Sequence, residues 1–263
     1  MSDLQLMFIR VRAGTMQKIK KPRYTVPDTL RGIAVIMMII YHTMWDLVYL
    51  FDVSISWFRN EAGMIFQQSI CWSFILISGF CLQMGRKKLR RGMVVIVCSL
   101  VLTAVTALAM PESIVLHGVL SLIGASMLIT IPLEKGFNKI HPSAGITISF
   151  LLFILTYKVT KGVIGIGGFE LFTLPDFLYA NTVTAFFGFP PEDFFSADYV
   201  PLFPWLFLFF TGYFIFSLLK KKNILGILSS FSCRPLEFVG RHSLEIYMVH
   251  QPVIFGILYI LFN

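Results

Sequence analysis

Arg31, His42 and Asp46 stand in one long apolar stretch, where an ionisable side chain costs a few kcal/mol or more and marks function by default. On a helix, Arg31 to His42 is eleven steps of about 100°, some 20° past three full turns, with a rise of roughly 16 Å. The two therefore share a face at different depths. His42 and Asp46 are i,i+4 neighbours, close enough for the carboxylate to accept an imidazole N–H. A carboxylate partner fixes the tautomer and raises the basicity of the other ring nitrogen, which is how a general base is built. The plainer uses of the same residues are a polar contact between helices and an arginine that snorkels at a membrane boundary.

A second polar set lies near the C-terminus. Ser243, Tyr247 and His250 fall on one face of a helical wheel, and Arg241 and Glu245 form another i,i+4 pair. His117 opens a further apolar stretch, with Ser121, Gly124 and Ala125 as a small-residue packing face. Gln67, Cys71 and Ser78 share a polar face without chemistry of their own. The cysteines (Cys71, Cys81, Cys98 and Cys233) have neither a disulfide framework nor zinc-ligand spacing, so no metal is expected.

These residues need elements to position them, and composition says which kind. Of the 263 residues, 56% are hydrophobic and 14% charged, against about 25% charged in a typical soluble domain. That excludes a soluble globular protein, and the same figures exclude disorder. The expected fold is all-α, a polytopic transmembrane helix bundle. Taking about 20 apolar residues per crossing, the sequence predicts spans at 30–50, 64–84, 92–110, 114–131, 144–157, 199–219 and 243–262. Residues 1–28 read as a basic cytosolic tail broken by Gly14, Pro22 and Pro27, without a signal-peptide pattern, and 29–263 as the membrane domain. The loop 158–198 carries another apolar stretch, 171–189. Pro175, Asp176 and Asn181 interrupt it, which predicts a re-entrant or interfacial element instead of a crossing.

The net charge of +8 follows membrane topology and not nucleic acid. Lys and Arg collect before the first predicted span, after the second (Arg86, Lys87, Lys88, Arg90, Arg91), after the fourth and after the sixth. The opposite loops gather Asp52, Glu61, Glu112, Glu170, Asp176, Glu192, Asp193 and Asp198. Short cytoplasmic loops are the basic ones, so the N-terminus is expected inside and the C-terminus outside.

The run DTLRGIA at 28–34, followed by Tyr41 and His42, resembles the opening of the transmembrane acyltransferase superfamily. Its arginine–histidine spacing is similar to the first-helix signature of membrane acyltransferase-3 proteins. FILISGF at 74–80, HGVLSLIG at 117–124, DYVPLFPW at 198–205 and GRHSLEIYMVHQP at 240–252 resemble bacterial relatives of heparan-α-glucosaminide N-acetyltransferase. The resemblance runs from Arg23 to the end. It implies transfer of an acetyl group from cytosolic acetyl-CoA to an amino sugar or glycan across the membrane. It also implies a catalytic histidine that His42 matches, and a bacterial cytoplasmic membrane as the location.

The geometry agrees with that implication. Arg31, Arg86, Lys87, Lys88 and Arg241 are cations suited to the donor's phosphates, although basic loops also satisfy topology by themselves. The Arg31–His42 rise is comparable with the reach of the donor's extended arm. His42 then deprotonates the acceptor or carries the acetyl group itself, with Asp46 orienting it. Asp198, Tyr247 and His250 are the expected acceptor contacts. Lipids, acetyl-CoA and an extracytoplasmic acceptor are the expected partners; the oligomeric state is open, a homodimer included. Two other classes stay open: a transporter or flippase for an anionic or lipid-linked solute, and a non-catalytic member of a membrane complex. No inverted repeat supports transport.

Overall fold

The computed structural model describes residues 24–262. The helices α1 (Thr25–Tyr49), α2 (Glu61–Leu82), α3 (Lys88–Ala109), α4 (Val119–Phe137) and α5 (Pro142–Leu155) come first. A hairpin of β1 (Val163–Ile166) and β2 (Phe169–Thr173) and the short α6 (Thr182–Ala185) follow. The chain then forms α7 (Trp205–Lys221), α8 (Arg234–Arg241) and α9 (Ser243–Phe262). Among the described residues six helical segments are long and apolar enough to cross a membrane: α1 to α4, Pro142–Lys161 (α5 and the turn after it) and α9.

At 17 residues α7 is shorter, and it buries most of its length, including Leu208, Phe209, Tyr213 and Phe214. It is apolar all round because neighbours cover every face. Glycines set how near those neighbours come. A Cβ on Gly79 of α2 would lie 2.0 Å from the Phe209 carbonyl oxygen, and one on Gly212 of α7 would lie 2.2 Å from that of Leu76. Lipid offers no hydrophobic drive between helices, so close backbone packing through small residues takes its place. The expected small-residue face of α4 works likewise, with Gly124 against Ile96 of α3.

Contacts along the helices fix their directions. Arg31 meets Gly240, His42 meets His250, and Asp46 meets Gln251, so α1 and the α8–α9 segment run parallel. Gly79 against Phe209 and Gln83 bonded to the Tyr213 carbonyl make α2 and α7 parallel as well.

Several expectations need correction. Of the tail expected over 1–28, positions 1–23 lie outside the described residues, and Thr25 to Asp28 already belong to α1. Helix α4 begins at Val119 and not at 114, because 114–117 pairs with the loop at 196–200. Ala197 N–H donates to the Ile114 carbonyl (3.0 Å), Leu116 and Ser196 exchange bonds of 3.0 and 2.8 Å, and Val200 N–H donates to the His117 carbonyl (3.0 Å). His117 therefore lies in the turn before α4, left-handed at φ 54°. Helix α7 starts at Trp205 instead of 199, since Leu202 and Phe203 donate to Phe186 and Phe187 between two prolines. The stretch 171–189 forms β2, a short turn and α6, with no membrane-length helix, so the all-α expectation misses one antiparallel hairpin pairing Val163 with Thr173.

Candidate active site

Two glycines assemble the basic end. A Cβ on Gly32 would stand 2.1 Å from the Leu236 carbonyl oxygen, and one on Gly240 would stand 1.8 Å from that of Asp28. Helix α8 thus lies directly on the first turns of α1 and brings Arg31 and Arg241, the residues flanking those glycines, to one place. Gly240→Ala is expected to push α8 off α1 at a cost of about 1–3 kcal/mol. A thermal-unfolding scan of the purified protein checks this; an unchanged midpoint contradicts it.

Arg31 and Arg241 line a cavity of about 740 Å³ together with Arg86, Lys87, Arg90 and Arg91. Beyond this cationic mouth the walls turn apolar, through Phe74, Val95, Ile123 and Met127, and Val119 and Tyr247 also line it. Lys88 does not share in it, because its ammonium is drawn to Glu134 of α4. Arg31 is held by Asp28 at 3.6 Å and by the Gly240 carbonyl at 3.5 Å. The Arg241–Glu245 pair does not form: a turn at His242 breaks the helix between them, and Arg241 Nε donates to the Glu237 carbonyl at 3.1 Å.

Tyr247 links this cavity to a polar cluster. Its hydroxyl donates to Asp198 Oδ2 at 3.1 Å, and the Val119 amide at the start of α4 donates to the same carboxylate. Burial pushes the Asp198 carboxyl up from its ordinary range, opposed by those two donors and by the nearby His250. His250 Nδ1 lies 2.6 Å from the Tyr247 carbonyl. The proton on that contact belongs to Nδ1, which leaves Nε2 as the acceptor nitrogen. Nε2 is buried with no hydrogen-bond partner among the described residues. The His250 ring packs against His42 with centroids 4.8 Å apart, and Tyr41 stands edge-on to His42 at 5.6 Å. The three expected acceptor contacts are therefore one connected set, and His42 adjoins it.

The expected His42–Asp46 hydrogen bond is absent. Asp46 is fully buried, and its Oδ1 accepts from Gln251 Nε2 at 2.6 Å, while Oδ2 has no partner among the described residues. The parallel α9 sets its amide beside the carboxylate, and that contact replaces the one along α1. Gln251 is the residue the sequence reading missed; a glutamine directly after His250 in a predicted span was the available signal. Cys71 is also closer to the chemistry than expected, within electrostatic range of Asp198, Tyr41 and Tyr247. His117 is part of the frame: it packs on Phe186 and Phe194, and burial lowers its proton affinity.

Membrane-length helices around a cavity with a cationic mouth, and a histidine cluster adjoining its far wall, define a membrane-embedded protein with an internal polar site. The sequence model of the heparan-alpha-glucosaminide N-acetyltransferase catalytic domain matches residues 23–252, and the chain belongs to that family. The match includes every residue of the site from Arg31 to Gln251. The protein is thus an integral membrane protein of an acetyltransferase family. Comparison with characterised proteins and with solved structures gave no match.

Proposed function

We propose that the protein moves an acetyl group from cytosolic acetyl-CoA to an amino sugar or glycan on the extracytoplasmic side, with His42 as general base or transient acetyl carrier. The observation that carries this reading is the cavity. It joins the arginines, which suit the donor's phosphates, to Tyr247, which touches both Asp198 and His250. The acceptor amine or hydroxyl attacks the thioester carbonyl carbon and gives its proton to His42. The C–S bond then breaks, and the thiolate of coenzyme A leaves through the cavity and is protonated there. In the covalent variant the imidazole nitrogen takes the acetyl as the C–S bond breaks, and the acceptor then attacks the acyl-imidazole. Turned from Asp198 towards the substrate, the Tyr247 hydroxyl would donate its single proton to the developing oxyanion.

Helix directions support the transmembrane arrangement. Parallel α1 and α9 require an odd number of crossings from first to last, and α7 supplies the seventh beside the six longer ones. The basic clusters then fall on one side, with Arg59, Lys158 and Lys161 on the other, and the positive-inside rule makes the basic side the cytosol. With Cys233 replaced by Ser, Lys222→Cys is expected to resist an impermeant thiol reagent added to intact cells, and Glu192→Cys to react. The reverse pattern overturns the topology.

The deciding assay is labelled acetyl-CoA with the purified protein and candidate amino sugars. Thioester consumption coupled to acetylated product is expected. Inertness towards every acyl-CoA overturns the reading and favours solute transport.

A further inference from the structure

Arg31 and Arg91 line a second cavity as well as the first. It measures about 460 Å³ and is also lined by Tyr24, Asp28, Gln83, Phe216 and Lys220. The two arginines form the shared wall and act on each other as like charges. Arg91 is fixed there by the backbone: a Cβ on Gly85 would lie 2.1 Å from its Nη1, which also donates to the Cys81 carbonyl at 3.5 Å. Guanidinium groups held near one another and partly desolvated repel unless an anion lies between them. Asp28, the acid of this cavity, pairs with Arg31 at 3.6 Å.

Taking acetyl-CoA as donor, on which this inference rests, a ligand with a diphosphate in its middle matches such a divide. One arm of that ligand is flexible and ends in the thioester; the other is a nucleoside carrying a 3′-phosphate. The larger cavity has the apolar walls and the contact with Tyr247. The smaller has two aromatic side chains and one further cation, at a size suited to a nucleoside.

We propose that the smaller cavity binds the donor's nucleotide end, with its base beside Tyr24 and Phe216 and its 3′-phosphate at Lys220, while the diphosphate spans Arg31 and Arg91. The headgroup phosphate of an anionic lipid offers Lys220 similar chemistry, so the test must separate the two sources.

Lys220 is exposed at the end of α7, so truncating it leaves the packing intact. Calorimetry on the purified full chain compares coenzyme A with dephospho-coenzyme A, which lacks the 3′-phosphate. Lys220→Ala is expected to weaken coenzyme A by about tenfold, the worth of one charged hydrogen bond, while dephospho-coenzyme A binds as before and Lys220→Arg keeps the discrimination. Equal loss for both ligands, or no loss for either, overturns the assignment while leaving the donor reading intact. Unchanged coenzyme A affinity with a loss of binding to phosphatidylglycerol vesicles assigns the cavity to lipid and overturns it too. A wild-type protein that binds neither nucleotide overturns the donor reading itself.

Discussion

His42→Ala protein is expected to insert normally, run as a monodisperse species and bind acyl-CoA with wild-type affinity, yet transfer acetyl about 10²–10⁴-fold more slowly. His42 lies far along α1 from the arginines, in contact with the rings of His250 and Tyr41 and with no carboxylate bonded to it. Were it only a packing group, its loss would appear mainly as stability, by about 1 kcal/mol for a polar contact inside a membrane bundle. Turnover and unfolding measured on the same preparation separate the two. Near-native turnover, or a protein that fails to insert, defeats the assignment. Asp46→Asn serves as a companion, because the structure alters what it should do. An asparagine oxygen can still accept from Gln251, so this variant is expected to lose well under the 10²-fold loss of a missing base. A deficit equal to that of His42→Ala restores Asp46 to direct action on the imidazole.

The bundle was legible in the sequence because bilayer thickness sets one number, helix length. That is a local property, so all seven predicted stretches overlap observed helices, the sixth from Trp205 onwards. The errors came where backbone bonds leave the helix for a distant partner. The segment 114–117 is apolar enough for a helix, but its carbonyls and amides are taken by 196–200, a pairing that no window on the sequence contains. The hairpin was missed because its strands are only four and five residues long, too short for the alternation that signals a strand.

At the site, residue identity was readable and pairing was not. Arg31, Arg86, Lys87 and Arg241 converge on one cavity, and Asp198, Tyr247 and His250 touch. Helical spacing supplied plausible pairs along each helix, His42 with Asp46 and Arg241 with Glu245. In the fold, parallel packing of α1 against α9 gave Asp46 to Gln251, and a turn at His242 separated the other two. Side-chain partners inside this bundle are chosen across helices as well as along them, and close approach of α1 and α8 is set by Gly32 and Gly240. Those glycines stand beside the arginines in the sequence, so motif and packing contact are one feature.

The donor side yields the second large effect. Arg31→Ala is expected to raise the donor KM on the order of tenfold to a hundredfold, the ~1.5–3 kcal/mol of a hydrogen-bonded charge, and to leave the acceptor KM close to wild type. Arg31 stands on the wall common to both cavities, so a diphosphate bound there meets it whichever cavity holds the remainder of the donor. Its internal partners do not explain a large effect. The Asp28 contact at 3.6 Å is longer than the about 2.7–2.9 Å of a hydrogen-bonded ion pair. The bond to Gly240 at 3.5 Å is long. Stability should therefore move little while donor affinity falls. Arg31→Lys should recover only part of the loss, since an ammonium supplies the charge without the planar fork that grips two phosphate oxygens. Steady-state kinetics with donor and acceptor varied in turn provide the measurement. A donor KM unchanged in both variants would leave Arg31 as a boundary residue whose charge serves topology alone, and the diphosphate would then have to rest on Arg86, Lys87 and Arg241.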